Sequence, residues 1–250
     1  MNKKQTVAEL LAEKQGDIRI GIIGAMDEEV ELLKSSLSNR EDHEVAGYHL
    51  FTGQLHGKDI VLLKSGIGKV NAAIGTTLLL QLFEPDCIIN TGSAGGFDPA
   101  LNVGDIVIST EVRHHDVDVT AFGYEYGQVP QQPPFYSPDE TLASVAETCV
   151  SRMQGMNTVR GLICTGDQFM NDSVRVERKR GLFPEMKAVE MEAAAIAQTC
   201  AQFGTPFIII RALSDIAGKE SDLSFEQFLV TAAKHSAQMI ISMIDELAAN

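Results

Sequence analysis

The sequence has no basic excess, no paired cysteines and no long apolar run, and each absence removes a class of function. Twenty lysines and arginines stand against 34 aspartates and glutamates, a formal net charge of −14. Such a surface repels nucleic-acid phosphates and anionic lipid headgroups, which leaves no nucleic-acid or membrane partner and favours a small neutral or cationic ligand. Cys87, Cys149, Cys164 and Cys200 are far apart and form no CxxC pair. That spacing fits neither a zinc site nor a disulfide framework. Cys87 and Cys164 lie in apolar runs, where a thiol packs as a small hydrophobe. No stretch reaches the ~18 apolar residues that span a bilayer. Residues 1–17 lack the apolar block of a signal peptide. Val7, Leu10 and Leu11 give them a weak helical stripe, so they are a leader, either a short helix or disordered. The expected compartment is the reducing cytoplasm.

What is present is an alternation of apolar strands with helical stripes. Strands are expected at 19–26, 48–55, 59–64, 86–90, 104–109, 158–165, 188–191 and 206–213. Helices are expected at 27–37, 70–83, 141–153 and 192–203, with one or two more over 224–247, where Ser224 and Gln227 have capping-box spacing. The glycine-rich run 91–96 reads as a loop, as does 122–138. Several strands lack polar alternation, which indicates a mostly parallel or mixed sheet covered on both faces. No linker or repeat interrupts it. The expectation is an α/β protein: the leader, then one three-layer α/β/α domain over 18–250 with a central mixed sheet.

In open α/β sheets, ligands sit beyond the carboxyl ends of the strands. The residues expected there are Met26, Asp27, Glu28 and Glu29; the loop around Ser93; Asp167, Phe169 and Asn171; Glu190 and Glu192; and Ser214 and Asp215. Each has a plainer explanation. Asp27 to Glu29 suit a helix first turn by charge, and Asp215 suits an N-cap. Glu190 suits a hydrogen-bonded place inside the sheet. His114-His115-Asp116 suggests a metal, but adjacent residues in an extended segment point to opposite faces, so no metal site is expected.

The segments GIIGAMDEEV (21–30), LLKSGIGKVNAA (62–73), IINTGSAGG (88–96), DVTAFGYEYGQ (118–128), AVEMEAAAIA (188–197) and RALSDIAG (211–218) closely resemble, in order, the 5′-methylthioadenosine/S-adenosylhomocysteine nucleosidases. The resemblance runs from about Ile18 to Ala248. It implies a nucleoside phosphorylase-like fold, a homodimer, no cofactor, and hydrolysis of an adenine thionucleoside in methionine salvage. It gives Glu29 the role of base that activates water, Asp215 that of acid for adenine N7, and Glu192 that of holding the ribose hydroxyls. Met191 packs on the sugar, while Ser93 and Arg211 support the water and Glu29. Phe169 stacks on adenine and the Met170 backbone meets the base edge. Met26, Ile67 and Phe225 wall the 5′-alkylthio pocket. Gly95 and Ser214 are further substrate-binding candidates. Phe122 and Pro130 belong to a loop that reaches the neighbouring subunit's site. Asp27 departs from a common Glu, and Met170 from an expected Ile.

These residue types suit the chemistry. Adenine leaves readily only when protonated, which calls for an acid. An aspartate ordinarily titrates near 3.9, so Asp215 must be buried or share its proton with the bound base, and its pKa is expected to be raised. A carboxylate near the sugar stabilises the developing oxocarbenium charge. Two alternatives stay open. A phosphorylase would need cations around phosphate, whereas the first turn here is acidic and Asn90 is neutral. A binding-only protein would need Phe169 but neither Glu29 nor Asp215. The preferred substrate among methylthioadenosine, adenosylhomocysteine, 5′-deoxyadenosine and futalosine-type nucleosides is open too.

Overall fold

A computed structural model describes residues 5–150, 157–217 and 221–249. It begins with a short helix, α1 (Val7–Glu13), inside the leader. Thr6 caps it: its hydroxyl accepts from the Glu9 amide, and the Glu9 carboxylate accepts from the Thr6 amide. Val7 and Leu10 are buried, Lys14 pairs with Asp86 at 2.6 Å, and the Val7 amide donates to Asp139 at 3.1 Å. Residues 7–14 are thus packed onto the body of the protein. Leu10→Ala is expected to cost about 2–3 kcal/mol, in the range for a buried leucine. Urea unfolding measures it.

The chain continues β1 (Arg19–Gly24), α2 (Asp27–Ser36), β2 (Ser38–Val45), β3 (Tyr48–Leu55), β4 (Lys58–Lys64), α3 (Lys69–Phe83), β5 (Cys87–Gly96) and β6 (Ile106–His114). It ends α4 (Glu140–Val150), β7 (Thr158–Thr165), α5 (Ser173–Leu182), β8 (Met186–Glu190), α6 (Ala193–Phe203), β9 (Phe207–Ile216) and α7 (Ser221–Ala249). The strands form one mixed sheet ordered β2-β3-β4-β1-β5-β8-β7-β6-β9. Strand β5 also pairs in parallel with β9, so the last five strands close into a ring.

Helices cover both faces. Ile20, Ile22, Leu62 and Ile89 point to one core, with Val30 and Leu33 of α2, Leu142 of α4 and Met239 to Leu247 of α7. Ile23, Val61, Leu63 and Ile88 point to the other, with Ala72 and Leu79 of α3 and Ala193 to Cys200 of α6. This two-sided burial explains why the strands lack polar alternation. All four cysteines are buried.

Several boundaries differ from the sequence expectation, each for a physical reason. The glycine-rich run is strand, because residues 91–96 continue β5 against β9. Strand β9 likewise runs on through Ser214 and Asp215, so Asp215 caps no helix. Strand β6 starts later and runs five residues past Ser109, to His114. Strand β2 is a polar, mostly exposed edge with no apolar alternation to announce it. Helix α5 is highly charged and buries only Val176 and Lys179, so no stripe announced it either. Ser224 lies within α7 and not at its start, so Ser224 and Gln227 form no capping box. The expected end of the 141–153 helix lies outside the described residues.

Candidate active site

The carboxyl ends of β1, β5, β8 and β9 meet around a cleft of about 200 Å³. Its wall includes Met26, Glu29, Ile67, Ser93, Gly95, Phe169, Met191, Glu192, Ser214, Asp215 and Phe225. Eleven expected site residues therefore share one cavity. A smaller recess holds Met170 with Gly95, Phe169 and Asp215. Arg211 lies behind the wall and is fully buried. Phe122 and Pro130 are exposed and do not line the cleft of their own chain.

Glu29 stands in the first turn of α2, but it does more there than favour the helix dipole. It is 2% exposed and takes four hydrogen bonds. One oxygen accepts from the Ala25 and Met26 amides at 2.7 and 3.3 Å; the other accepts from the Ser93 amide and hydroxyl at 2.9 and 3.0 Å. The end of β1 and the middle of β5 thus aim their donors at one carboxylate. Gly92 makes this possible: a Cβ there would come within 2.6 Å of Glu29 Oε1 and 2.5 Å of Arg211 Nη1.

Arg211 organises a second group. Its guanidinium donates to Glu190 at 2.6 Å, Asn90 at 2.8 Å and the Ser93 carbonyl at 3.2 Å, and lies 3.6 Å from Glu192. Burial alone would lower its pKa, but the charges of Glu190, Glu192 and Glu29 outweigh burial and raise it. Glu190 accepts from the amides of Glu192 and Ala193 at 2.8 and 2.7 Å, and from the Thr165 hydroxyl. It therefore fixes the start of α6, as a hydrogen-bonded residue inside the sheet would, although its side chain also reaches the cleft wall. Glu192, the residue before α6, accepts from the Gly68 amide at 2.8 Å. Burial, and next the charge of Glu190, push its pKa up to about 8.

Asp215 has the simplest surroundings. It is 3% exposed and, among the described residues, accepts one hydrogen bond, from the Ser214 hydroxyl at 2.8 Å. Burial pushes its pKa up to about 6, and the Ser214 bond only partly offsets this. Phe169, which shares the recess with Asp215, meets the Phe225 ring edge to face, with centroids 5.7 Å apart. Ile67 and Phe169 are half exposed or nearly so, leaving apolar surface at the mouth for a ligand to cover. The arrangement offers an aromatic face beside a protonatable acid at one end. At the other it offers a fully hydrogen-bonded carboxylate, with a buried acidic pair between.

Sequence reasoning missed the Ala25 amide and the Gly68 amide as donors. Backbone groups have no residue-type signal, so only the topology could reveal them.

Residues 19–245 match the phosphorylase superfamily model. The chain is 64% identical over 227 residues to the 5′-methylthioadenosine/S-adenosylhomocysteine nucleosidase of Geobacillus thermodenitrificans, covering 91% of this chain and 96% of that protein. It resembles the Neisseria meningitidis nucleosidase of the same name, solved with methylthio-immucillin-A, at 50% identity and a TM-score of 0.90, covering 91% and 99% of the two chains. It also resembles the Colwellia psychrerythraea nucleosidase, solved with adenine, at 52% identity and a TM-score of 0.91, covering 92% and 96%.

Proposed function

The chain belongs to the phosphorylase superfamily and, within it, to the 5′-methylthioadenosine/S-adenosylhomocysteine nucleosidases, and from that premise we propose how its cleft works. The enzyme hydrolyses the N-glycosidic bond of these two nucleosides, releasing adenine and the 5′-thio-substituted ribose, a step of methionine salvage. The observation that carries the assignment of roles is the asymmetry of the cleft. Asp215 shares its recess with Phe169 and Met170, whereas Glu29 lies with Met26 and Ser93 outside that recess.

Adenine then stacks on Phe169 with its edge toward the Met170 backbone and Gly95. Asp215, its pKa raised by burial and its carboxyl oriented by Ser214, gives its proton to N7. The ribose lies over Met191 with its hydroxyls donating to Glu192. As the bond breaks, the carboxylates beneath the sugar oppose the positive charge that develops. Water attacks the far face, and Glu29 takes its proton. Of the four donors on Glu29, the Ser93 hydroxyl is the only side chain. It is the one that can turn aside to let water in. Met26, Ile67 and Phe225 enclose the alkylthio group. Arg211 donates to Glu190 and lies 3.6 Å from Glu192, which holds the two side chains next to each other.

Among the described residues a phosphate nucleophile would meet Glu29 with no free cation nearby, since Arg211 is already shared among Glu190, Asn90 and the Ser93 carbonyl. The test is adenine release from 5′-methylthioadenosine in phosphate-free buffer. The expected products are adenine and free methylthioribose at a rate that phosphate leaves unchanged. A sugar 1-phosphate formed only with phosphate would overturn hydrolysis.

We read residues 18–250 as one domain on which the leader docks, acting in the cytoplasm without a metal or cofactor. We also infer a homodimer. Val70 and Ile74 of α3 and Phe203 of α6 are exposed on one apolar face, and Phe122, 82% exposed, projects from its loop with Pro130 nearby. A second copy seated on that face would bring Phe122 and Pro130 to the partner's alkylthio pocket, whose Ile67 lies just before α3.

A further inference from the structure

Asp116, the last residue of the His114-His115-Asp116 run, plays no part in the chemistry above. Its carboxylate nevertheless ties together three segments that build the cleft. One oxygen pairs with Lys69 Nζ at 2.7 Å, and the other accepts from the Asp167 amide at 3.0 Å. Asp167 in turn accepts from the Lys69 amide at 2.8 Å. The residue before Lys69 is Gly68, whose amide donates to Glu192. Gly68 has φ +94°, and a Cβ there would lie 3.1 Å from Asp167 Oδ1, so the closure is tight.

We propose that Asp116, Lys69 and Asp167 form a clasp of positioning residues that holds the Gly68 amide on Glu192 and thereby sets the enzyme's preference for a ribose bearing its 2′-hydroxyl. This rests on the nucleosidase reading and deepens it. The segment after β6 supplies Asp116. The segment after β7 supplies Asp167 and, two residues on, Phe169. The turn into α3 supplies Ile67, Gly68 and Lys69. One carboxylate therefore governs the spacing between the stacking ring, the alkylthio wall and the donor that orients the ribose-binding carboxylate.

A solvent-exposed ion pair would be a bystander. Here the side chains of Lys69 and Asp116 are 21% and 15% exposed, and both Asp116 oxygens are engaged. Burial would raise the Asp116 pKa, but the bonds from Lys69 and from the Asp167 amide outweigh it and keep the carboxyl below its ordinary range. Lys69 and Asp167 also border the apolar face between α3 and α6, so a second subunit seated there would cover the clasp.

The experiment compares wild type with Asp116→Asn on 5′-methylthioadenosine and on its 2′-deoxy analogue. Asparagine keeps the size and can still accept from the Asp167 amide, but it loses the charge that holds Lys69. The expected result is a loss in kcat/KM of about 10- to 100-fold on the ribonucleoside, the cost of misplacing a group by a fraction of an ångström to about one. The loss on the deoxy analogue should be several-fold smaller, with an unchanged melting temperature. In the Glu192→Gln background, Asp116→Asn should cost little more. Binding of 7-deaza nucleosides, which lack the N7 to be protonated, gives the same ribo-to-deoxy ratio without bond cleavage. An Asn variant with the wild-type ratio in both assays overturns the clasp. A wild-type enzyme that releases no adenine overturns the nucleosidase reading, while the 7-deaza ratio still decides on the clasp.

Discussion

Replacing Asp215 by asparagine should lower kcat by about 10²- to 10⁴-fold, the range for loss of a general acid, and at the same time make the protein more stable at pH 8. Both follow from one environment. Asp215 is buried and, among the described residues, has a single donor, the Ser214 hydroxyl, and no cation beside it. Burial disfavours its charged form and lifts its pKa from 3.8 to about 6. That helps catalysis, because the proton is still present near the working pH. It costs stability, because the unfolded chain releases the proton more easily than the folded one. Below about pH 4 both states hold the proton and no cost arises. As pH rises toward 6 the unfolded state ionises first, and stability is lost until the folded carboxyl ionises too. At ~1.36 kcal/mol for each tenfold change in proton affinity, the rise to about 6 represents roughly 3 kcal/mol above pH 7. Asparagine has the same shape, accepts the same Ser214 bond and carries no charge. Its melting temperature should exceed that of wild type at pH 8 and match it near pH 4. The wild-type kcat/KM should decline as pH rises through about 6, and the variant should lack that limb. A variant that melts lower than wild type at pH 8 would show that Asp215 is a structural anion and not a stored acid.

The same contrast explains how much of this protein could be read from its residues. Apolar strands such as β7, and hairpins such as β3–β4 with its turn at His56–Gly57, are local patterns, and their ends match the structure to within a residue. Strand β2 and helix α5 carry no such pattern, because tertiary pairing holds one and Asp172 capping with few buried side chains holds the other. The glycine-rich run looked like a loop because small residues usually mean turns. Here they are small because Arg211 and Glu29 press against the strand at Gly92, with Ser236 of α7 bonding to Thr91 and to the Gly92 amide. The carboxylates of the site were legible as residue types following apolar strands. Their differing characters were not. These depend on which amides point at which oxygen, and that is fixed only when β1, β5, β8 and β9 come together. The clasp at Asp116 was hidden for the same reason: its partners, Lys69 and Asp167, are 47 and 51 residues away.

Glu29→Gln should be as inactive as the Asp215 variant, with kcat down by about 10²- to 10⁴-fold, yet its stability should move the other way. Every donor around Glu29 points at an anion: the amides of Ala25, Met26 and Ser93, and the Ser93 hydroxyl. A glutamine offers one acceptor and one NH₂. If its carbonyl faces Ala25 and Met26, its NH₂ meets the Ser93 amide head on. If it turns round, the NH₂ meets the Ala25 amide instead. The Ser93 hydroxyl can rotate to accept, but no backbone amide can, so at least one buried donor loses its partner. Stranding such a group costs about 1–3 kcal/mol. Arg211, held by the charges of three glutamates, loses one of them as well. The Gln variant should therefore melt below wild type at pH 8, where the Asn variant melts above it. Paired melting curves of the two variants, with adenine release measured on the same samples, check this directly. Opposite shifts with equal inactivity would mean that one carboxylate is built to keep its proton and the other to lack one, as an acid and a base on either side of a cleaved glycosidic bond must be. Shifts of the same sign would mean that the two sites are not electrostatically distinct, and the assignment of acid and base would have to be redrawn.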